Sequence, residues 1–143
     1  MSLDSTVIQI IVDNAVGVPD FSVLDLTRFS KLESLVIGDN CFSYVTEVKM
    51  VGLKELESVE IGMSSFMKNK NSAGYDSTRH FYLKSCPKLK SFKMGRFSFS
   101  DYKVIEIESV DALEVIEIGN VNEWSYNIWY ASLELKSILI HSE

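Results

Sequence analysis

Leu32-Glu-Ser-Leu35-Val-Ile37-Gly38 returns along the chain as Leu56-Glu-Ser-Val59-Glu-Ile61-Gly62, as Leu89-Lys-Ser-Phe92-Lys-Met94-Gly95 and as Leu113-Glu-Val-Ile116-Glu-Ile118-Gly119. A worn copy, Val7-Ile-Gln-Ile10-Ile-Val12, precedes them, and Leu135-Lys-Ser-Ile138-Leu-Ile140 reads as a truncated copy after them. Starts at 7, 32, 56, 89, 113 and 135 give steps of 25, 24, 33, 24 and 22 residues. Self-similarity at a period of this size marks a chain that stacks one supersecondary unit on the next. Within each copy the apolar residues before the glycine alternate, which puts them on one face of a strand, and the glycine permits a sharp turn after it.

The residues between these copies alternate as well. Leu24, Val48, Phe81 and Ile105 align as one apolar ladder, Leu26, Met50, Leu83 and Ile107 as a second, and Phe29, Leu53, Cys86 and Val110 as a third. Cys86 is thereby expected to be a small apolar filler. A phenylalanine recurs shortly after the glycine, as Phe42, Phe66 and Phe99, and is expected to form a shared core layer. Two inward-facing strands per coil define a mainly β solenoid of about five coils, with two parallel sheets and little or no helix. Residues 1–143 read as one solenoid domain, which a longer parent array could extend on either side.

With these residues in view, Leu-Glu-Ser-Leu-x-Ile-Gly followed by a phenylalanine resembles the leucine-rich repeats. It looks closest to the two-stranded repeats of BspA-like bacterial and protist surface proteins. Cys86-Pro-Lys-Leu89 is also similar to the Cys-Pro-x-Leu of cysteine-containing leucine-rich repeats, whose second half carries a helix that this sequence lacks. The resemblance spans residues 7 to 140 and implies a protein-interaction or adhesive module. The superfamily grafts many binding surfaces onto one scaffold, so the resemblance specifies architecture more than function.

Composition limits the partners. With 14 basic and 20 acidic residues the formal charge is −6, which repels phosphate backbones and acidic membrane surfaces, so nucleic acid is not expected as a partner. No apolar run is long enough to span a bilayer, and Met1 to Asp20 carries Asp4 and Asp13 without Lys or Arg, unlike the basic start of a secretory signal. Two cysteines and no Asn-x-Ser/Thr acceptor lean slightly toward a cytoplasmic setting, with the cell surface as the alternative if the chain is a fragment.

Outward positions also align into ladders. They are Glu33-Glu57-Lys90-Glu114-Lys136 and Val36-Glu60-Lys93-Glu117-Leu139 on the first sheet, with Asp25-Lys49-Tyr82-Glu106 and Thr27-Val51-Lys84-Glu108 on the second. Alternating charge of this kind is how a solvated face keeps like charges apart. The long 33-residue step holds about nine surplus residues in Met67 to Asp76. Insertions in repeat proteins collect on one face, often the binding face, although a tolerated loop costs little. The candidate binding residues are therefore Lys68, Lys70 and Tyr75, then Arg79, His80 and Tyr82 just after them. Trp124 and Trp129, in a cluster with Tyr126 and Tyr130, are the second candidate site, balanced against a role in lidding the open last coil. The final strand, read as Ser137 to His141, has no coil after it, which leaves end-to-end self-association open.

Catalysis has little support. His80 and His141 stand in unrelated coils without other ligands nearby, phosphate-binding glycine motifs are absent, and pairs such as Glu114 and Glu117 sit on solvated ladders. No catalytic residue, metal or cofactor is assigned. The expected function is a non-enzymatic interaction or adhesion module whose partner is a protein or a cell-surface component. The alternatives are a structural spacer within a longer array and, behind it, a β-solenoid carbohydrate-active enzyme.

Overall fold

The computed structural model describes residues 5–68, 76–120, 124–128 and 132–136. Strands β1 (Gln9–Val12), β3 (Ser34–Ile37), β5 (Ser58–Ile61), β7 (Ser91–Met94) and β9 (Val115–Ile118) form one sheet in that order. Strands β2 (Val23–Asp25), β4 (Glu47–Val51), β6 (His80–Lys84), β8 (Val104–Glu108) and β10 (Ser132–Lys136) form the other. Every neighbouring pair is parallel, so the chain winds through five coils of a two-sheet β-solenoid, one strand of each sheet per coil. Parallel strands cannot be joined by tight hairpins, and a coil that passes through the opposite sheet supplies the crossover instead.

The expected ladders are the observed register. Leu35 pairs with Val59, Val59 with Phe92 and Phe92 with Ile116 on the first sheet. Val48, Phe81 and Ile105 follow one another on the second, as do Met50, Leu83 and Ile107. These side chains are buried in the three middle coils, and Cys86 lies fully buried among them as expected. One copy shifts. Leu135 pairs with Ile107 and Lys136 with Glu108, so this stretch is the second-sheet strand of the fifth coil and not the start of a sixth. Leu133-Glu-Leu135-Lys-Ser has the same apolar alternation as Ile105-Glu-Ile107-Glu-Ser, and period-two alternation alone does not say which sheet a strand joins. Lys136 thus leaves the Glu33-Glu57-Lys90-Glu114 ladder, and the strand expected at 137–141, with Leu139 in it, lies outside the described residues.

The two corners of a coil differ. A short corner returns the chain to the first sheet through turns such as Leu53 to Leu56 and Cys86 to Leu89, each closed by a backbone bond of 3.3 Å. The long corner follows the repeat glycine and is unusual in its backbone. Asn40, Ser64 and Phe97, and two residues later Phe42, Phe66 and Phe99, all have φ between 55° and 66°. That left-handed conformation costs about 1–3 kcal/mol for a bulky residue. Neighbouring coils offset it. Phe42 donates its N–H to Val16 O at 2.7 Å and Phe66 to Cys41 O at 2.8 Å, while the rings stack as a column, Phe42 on Phe66 at 5.3 Å and Phe66 on Phe99 at 4.8 Å. Three of the four repeat glycines, Gly38, Gly62 and Gly95, serve another purpose than the turn expected of them, whereas Gly119 is left-handed at φ 71°. Gly95 has no left-handed φ, but a Cβ there would stand 2.7 Å from Met63 N and 2.8 Å from the Gly62 carbonyl carbon, so glycine is what lets one coil lie directly on the next.

Between the two left-handed residues points a second, polar ladder. Ser98 Oγ donates to Gly62 O at 2.7 Å, Ser65 Oγ to Gly38 O at 2.7 Å and Cys41 Sγ to Asp13 O at 3.0 Å. Ser65 N in turn donates to Ser98 Oγ, and Cys41 N to Ser65 Oγ, each at 3.1 Å. These side chains pair backbone groups that the corner removes from the sheet ladder and from water. Ser98→Ala should therefore lower stability by about 1–3 kcal/mol in a denaturant titration, because Ser65 N and Gly62 O lose their partner. Ser98→Cys, which copies Cys41, should lose less; equal losses would mean that the ladder contributes no hydrogen bonding of its own.

Candidate functional site

The sequence-derived candidates gather at the long corner and on the strand that leaves it. Lys70, Tyr75 and Trp129 lie outside the described residues. Lys68, Arg79, His80, Tyr82 and Trp124 are placed, and they fall into three environments.

The first is the stem of the insertion, in the long corner of the third coil. Lys68 is exposed at its entrance, and its N–H donates to Asp101 Oδ2 at 3.0 Å. At the exit, Asp76 N donates to Asp101 O at 3.4 Å. Asp76 Oδ1 accepts from Thr78 N at 2.9 Å and from Thr78 Oγ1 at 2.6 Å, and Thr78 is the main reason why the Asp76 carboxyl is held below its ordinary acidity range. Arg79 does not present its charge to a partner: it is 2% exposed. Its Nη2 donates to Ser43 O at 2.9 Å and its Nη1 to Val45 O at 3.4 Å, while Nε lies 3.3 Å from Asp76 Oδ2 and Nη1 lies 3.7 Å from Asp101 Oδ1. Val45 and Tyr102 fill the corner in the second and fourth coils, and the arginine stem with its guanidinium fills it in the third, 5.7 Å from the Tyr102 ring centre. Burial pushes the Tyr102 phenol far above its usual range, so it stays protonated and donates to Val45 O at 2.6 Å. The alternation that puts Phe81 inward and His80 outward also puts Arg79 inward, and it is the charge of Arg79, beside an insertion, that makes it read as a surface residue.

The second environment is the outer face of the second sheet. His80 Nδ1 lies 2.9 Å from Tyr82 Oη, and Lys84 Nζ stands 5.3 Å from the Tyr82 ring centre. Around them the charges are paired on the face itself. Lys84 bridges Glu106 at 2.7 Å and Glu108 at 3.6 Å, and Lys49 bridges Glu47 at 3.0 Å. An open depression lined by Asp25, Thr27, Lys49, Val51, Tyr82 and Lys84 runs across the face. Its charges largely neutralise one another, as the alternating ladders implied, and exposed pairs of this kind are worth little energetically.

The third environment is the rim of the long corner in the last three coils. Trp124 is 75% exposed and Met63 is 48% exposed. Between them the Arg96 guanidinium lies 4.9 Å from the Phe97 ring centre, Phe97 stacks on Tyr126 at 5.7 Å, and Tyr126 stacks on Trp124 at 5.8 Å. Arg96 Nε also donates to Trp124 O at 2.9 Å, tying the rim of the fourth coil to that of the fifth. Trp124 therefore does not lid the interior. Ile128 takes the inward position next to the phenylalanine column, and Asn127 Nδ2 continues the serine ladder onto Gly95 O at 2.7 Å. Phe97 and Tyr126 are half-buried at the rim and share the left-handed backbone of the corner, at φ 66° and 50°, a feature that the repeat spacing alone does not reveal. The short corner contrasts with this rim: its exposed residues, among them Arg28, Lys31, Lys54, Pro87, Lys88 and Asp111, include no large apolar or aromatic side chain.

Both cysteines are free and buried, and burial pushes the pKa of the Cys86 thiol up, which disfavours its thiolate. Among the described residues no group of three or more His, Cys, Asp or Glu is placed to hold a metal ion, and no helix is long and apolar enough to cross a membrane. The fold and rim define a two-sheet β-solenoid with one aromatic edge. No family model, curated protein or solved structure matches the chain.

The pH dependence of the stem follows from the sign of the Asp76 shift. A carboxyl held below its ordinary value of 3.8 stabilises the fold above that pH, and the contribution is lost as pH falls through the lower, folded-state value. Wild-type protein should lose stability more steeply than Asp76→Asn as pH is lowered below about 4. Parallel slopes for the two proteins in acid unfolding titrations would contradict the assigned role of Thr78 and Arg79.

Proposed function

We propose that the chain is a non-catalytic protein-interaction module of the leucine-rich-repeat type, which contacts its partner through the long corner. The observation that carries this reading is the composition of the rim. Met63, Arg96, Phe97, Tyr126 and Trp124 are the residue types enriched in protein interfaces, and the stack fixes their rotamers before a partner arrives. Preorganised aromatic side chains lose little entropy on binding, which favours them as anchors. Trp124 and Met63 stand exposed on this edge, so it suits a partner that offers an apolar groove. The insertion stem opens on the same edge, two coils before Trp124, and Lys68 adds a cation there. The carboxylates of the second sheet support a non-enzymatic reading, since Glu106, Glu108 and Glu47 are partly exposed and bridged to lysines and so lack the environment of a general acid. A cell-surface protein would satisfy the same rim as readily as an intracellular one.

The test places a photo-crosslinking amino acid at position 63 or 124 and, as a control, at position 54 or 88 of the short corner, in extract or intact cells of the source. Discrete adducts should form from the long-corner positions, and those formed from position 63 should fall at least about tenfold when Trp124→Ala is added, the loss expected for a hot-spot residue. Adducts of equal yield from both corners, or none that respond to Trp124→Ala, would contradict the proposal.

A further inference from the structure

Among the described residues, the buried polar side chains are serines except at one place, where a buried arginine meets a buried aspartate at the foot of the insertion. Arg79 is 2% exposed and Asp101 is 1% exposed. Taking two charges out of water is costly, and a buried ion pair is often no more stabilising than well-packed apolar residues of the same volume. The coils on either side show that the corner can be filled without charge, by Val45 in one and by Tyr102 in the other. Stability alone therefore does not account for the pair. What it does geometrically is to hold two chain segments. Asp101 accepts from Lys68 N through Oδ2 at 3.0 Å and from Asp76 N through its main-chain oxygen at 3.4 Å, so a single residue of the fourth coil grips both ends of the insertion in the third. Arg79 completes the grip by lying 3.3 Å from Asp76 Oδ2 and 3.7 Å from Asp101 Oδ1, while its Nη2 is anchored on Ser43 O of the second coil at 2.9 Å.

We propose that Asp101 and Arg79 are positioning residues, a buried clamp that fixes the two stem ends of the insertion, Lys68 and Asp76, in the long-corner edge. The use of the inserted segment in binding rests on the reading of the long corner as the contact edge. The clamp itself is a statement about the stem, and it is tested without a partner, so either can fail alone. In an ordinary tolerated loop both ends would follow the coil's own ladder and need no charged grip from the neighbouring coil. Here the grip spans the second, third and fourth coils, which ties the stem into the stack.

The decisive variant is Arg79→Met/Asp101→Leu, which replaces the pair by apolar residues of similar volume, alongside the single variants Arg79→Met and Asp101→Asn. Thermal unfolding reports the global effect, and hydrogen exchange of the Lys68 amide with trypsin cleavage at Lys68 and Lys70 reports the stem. The double variant should unfold close to the wild-type temperature, yet its Lys68 amide should exchange, and the stem be cut, at least about tenfold faster than in wild type, since about 1.4 kcal/mol of lost stem bonding already gives that factor. Asp101→Asn keeps an acceptor near Lys68 N and should fall between the two. If the double variant retains wild-type exchange at Lys68 and wild-type cleavage, the pair is only a corner filler and the clamp is refuted. If the double variant is destabilised globally, the comparison moves to exchange at Lys68 relative to the buried strand amides of Leu83 and Met94; a uniform rise at all three would also refute it.

Discussion

Each strand of this chain finds its backbone partners only in the coils before and after it, so every feature of the fold must be compatible with a register that repeats coil upon coil. A change of one residue in that register would turn Val59, Phe92 and Ile116 outward together and bring Glu60, Lys93 and Glu117 into the interior. The constraint explains why the glycines recur although most are not in left-handed conformations: a side chain at Gly95 would collide with the backbone of the coil beneath it. It explains the column of phenylalanines too, because rings at equal offsets in successive coils come to lie on one another. The left-handed backbone at those positions is then held by contacts on both sides that no single coil could supply.

The same constraint separates the two edges of the solenoid. The short corner is a tight hydrogen-bonded turn with a charged exterior, and it leaves room for little else. The long corner contains more chain, buries a serine ladder and a phenylalanine column, and turns its remaining residues outward. Where those residues are Met63, Phe97, Tyr126 and Trp124 the edge becomes aromatic, and where the chain is longer, between Lys68 and Asp76, it carries the insertion with its buried stem. The two broad faces, by contrast, carry charges that pair among themselves, as Lys84 does with Glu106 and Lys93 with Glu117 at 3.7 Å. The proposed contact surface is therefore an edge, while the faces pair their charges among themselves.

The repeat was legible because apolar alternation and glycine spacing are local and recur. From them came the two sheets, the parallel coils, the three apolar ladders and the column of Phe42, Phe66 and Phe99. The last copy was misaligned because Leu133, Leu135 and Ile138 satisfy the alternation in more than one frame, and only pairing with Ile105 and Ile107 selects one. At the candidate site, His80, Tyr82, Lys68 and Trp124 were found at or beside the surface, but Arg79 was not, because a charged residue beside an insertion reads as exposed although the strand alternation turns it inward. Ser65, Ser98 and Asp101 gave no sequence signal of their importance. Short polar residues look alike in a turn, whether they face water or pair with buried backbone, and only the carbonyls of a coil about 24 to 36 residues away tell the two apart.

In-register parallel stacking is the central claim, and nuclear Overhauser contacts between backbone protons test it most directly. The account predicts parallel cross-strand patterns linking Glu60 with Lys93 and Lys93 with Glu117 on one sheet, and Lys49 with Tyr82 and Tyr82 with Glu106 on the other. Antiparallel patterns between these strands, or parallel ones displaced by a residue, would contradict it.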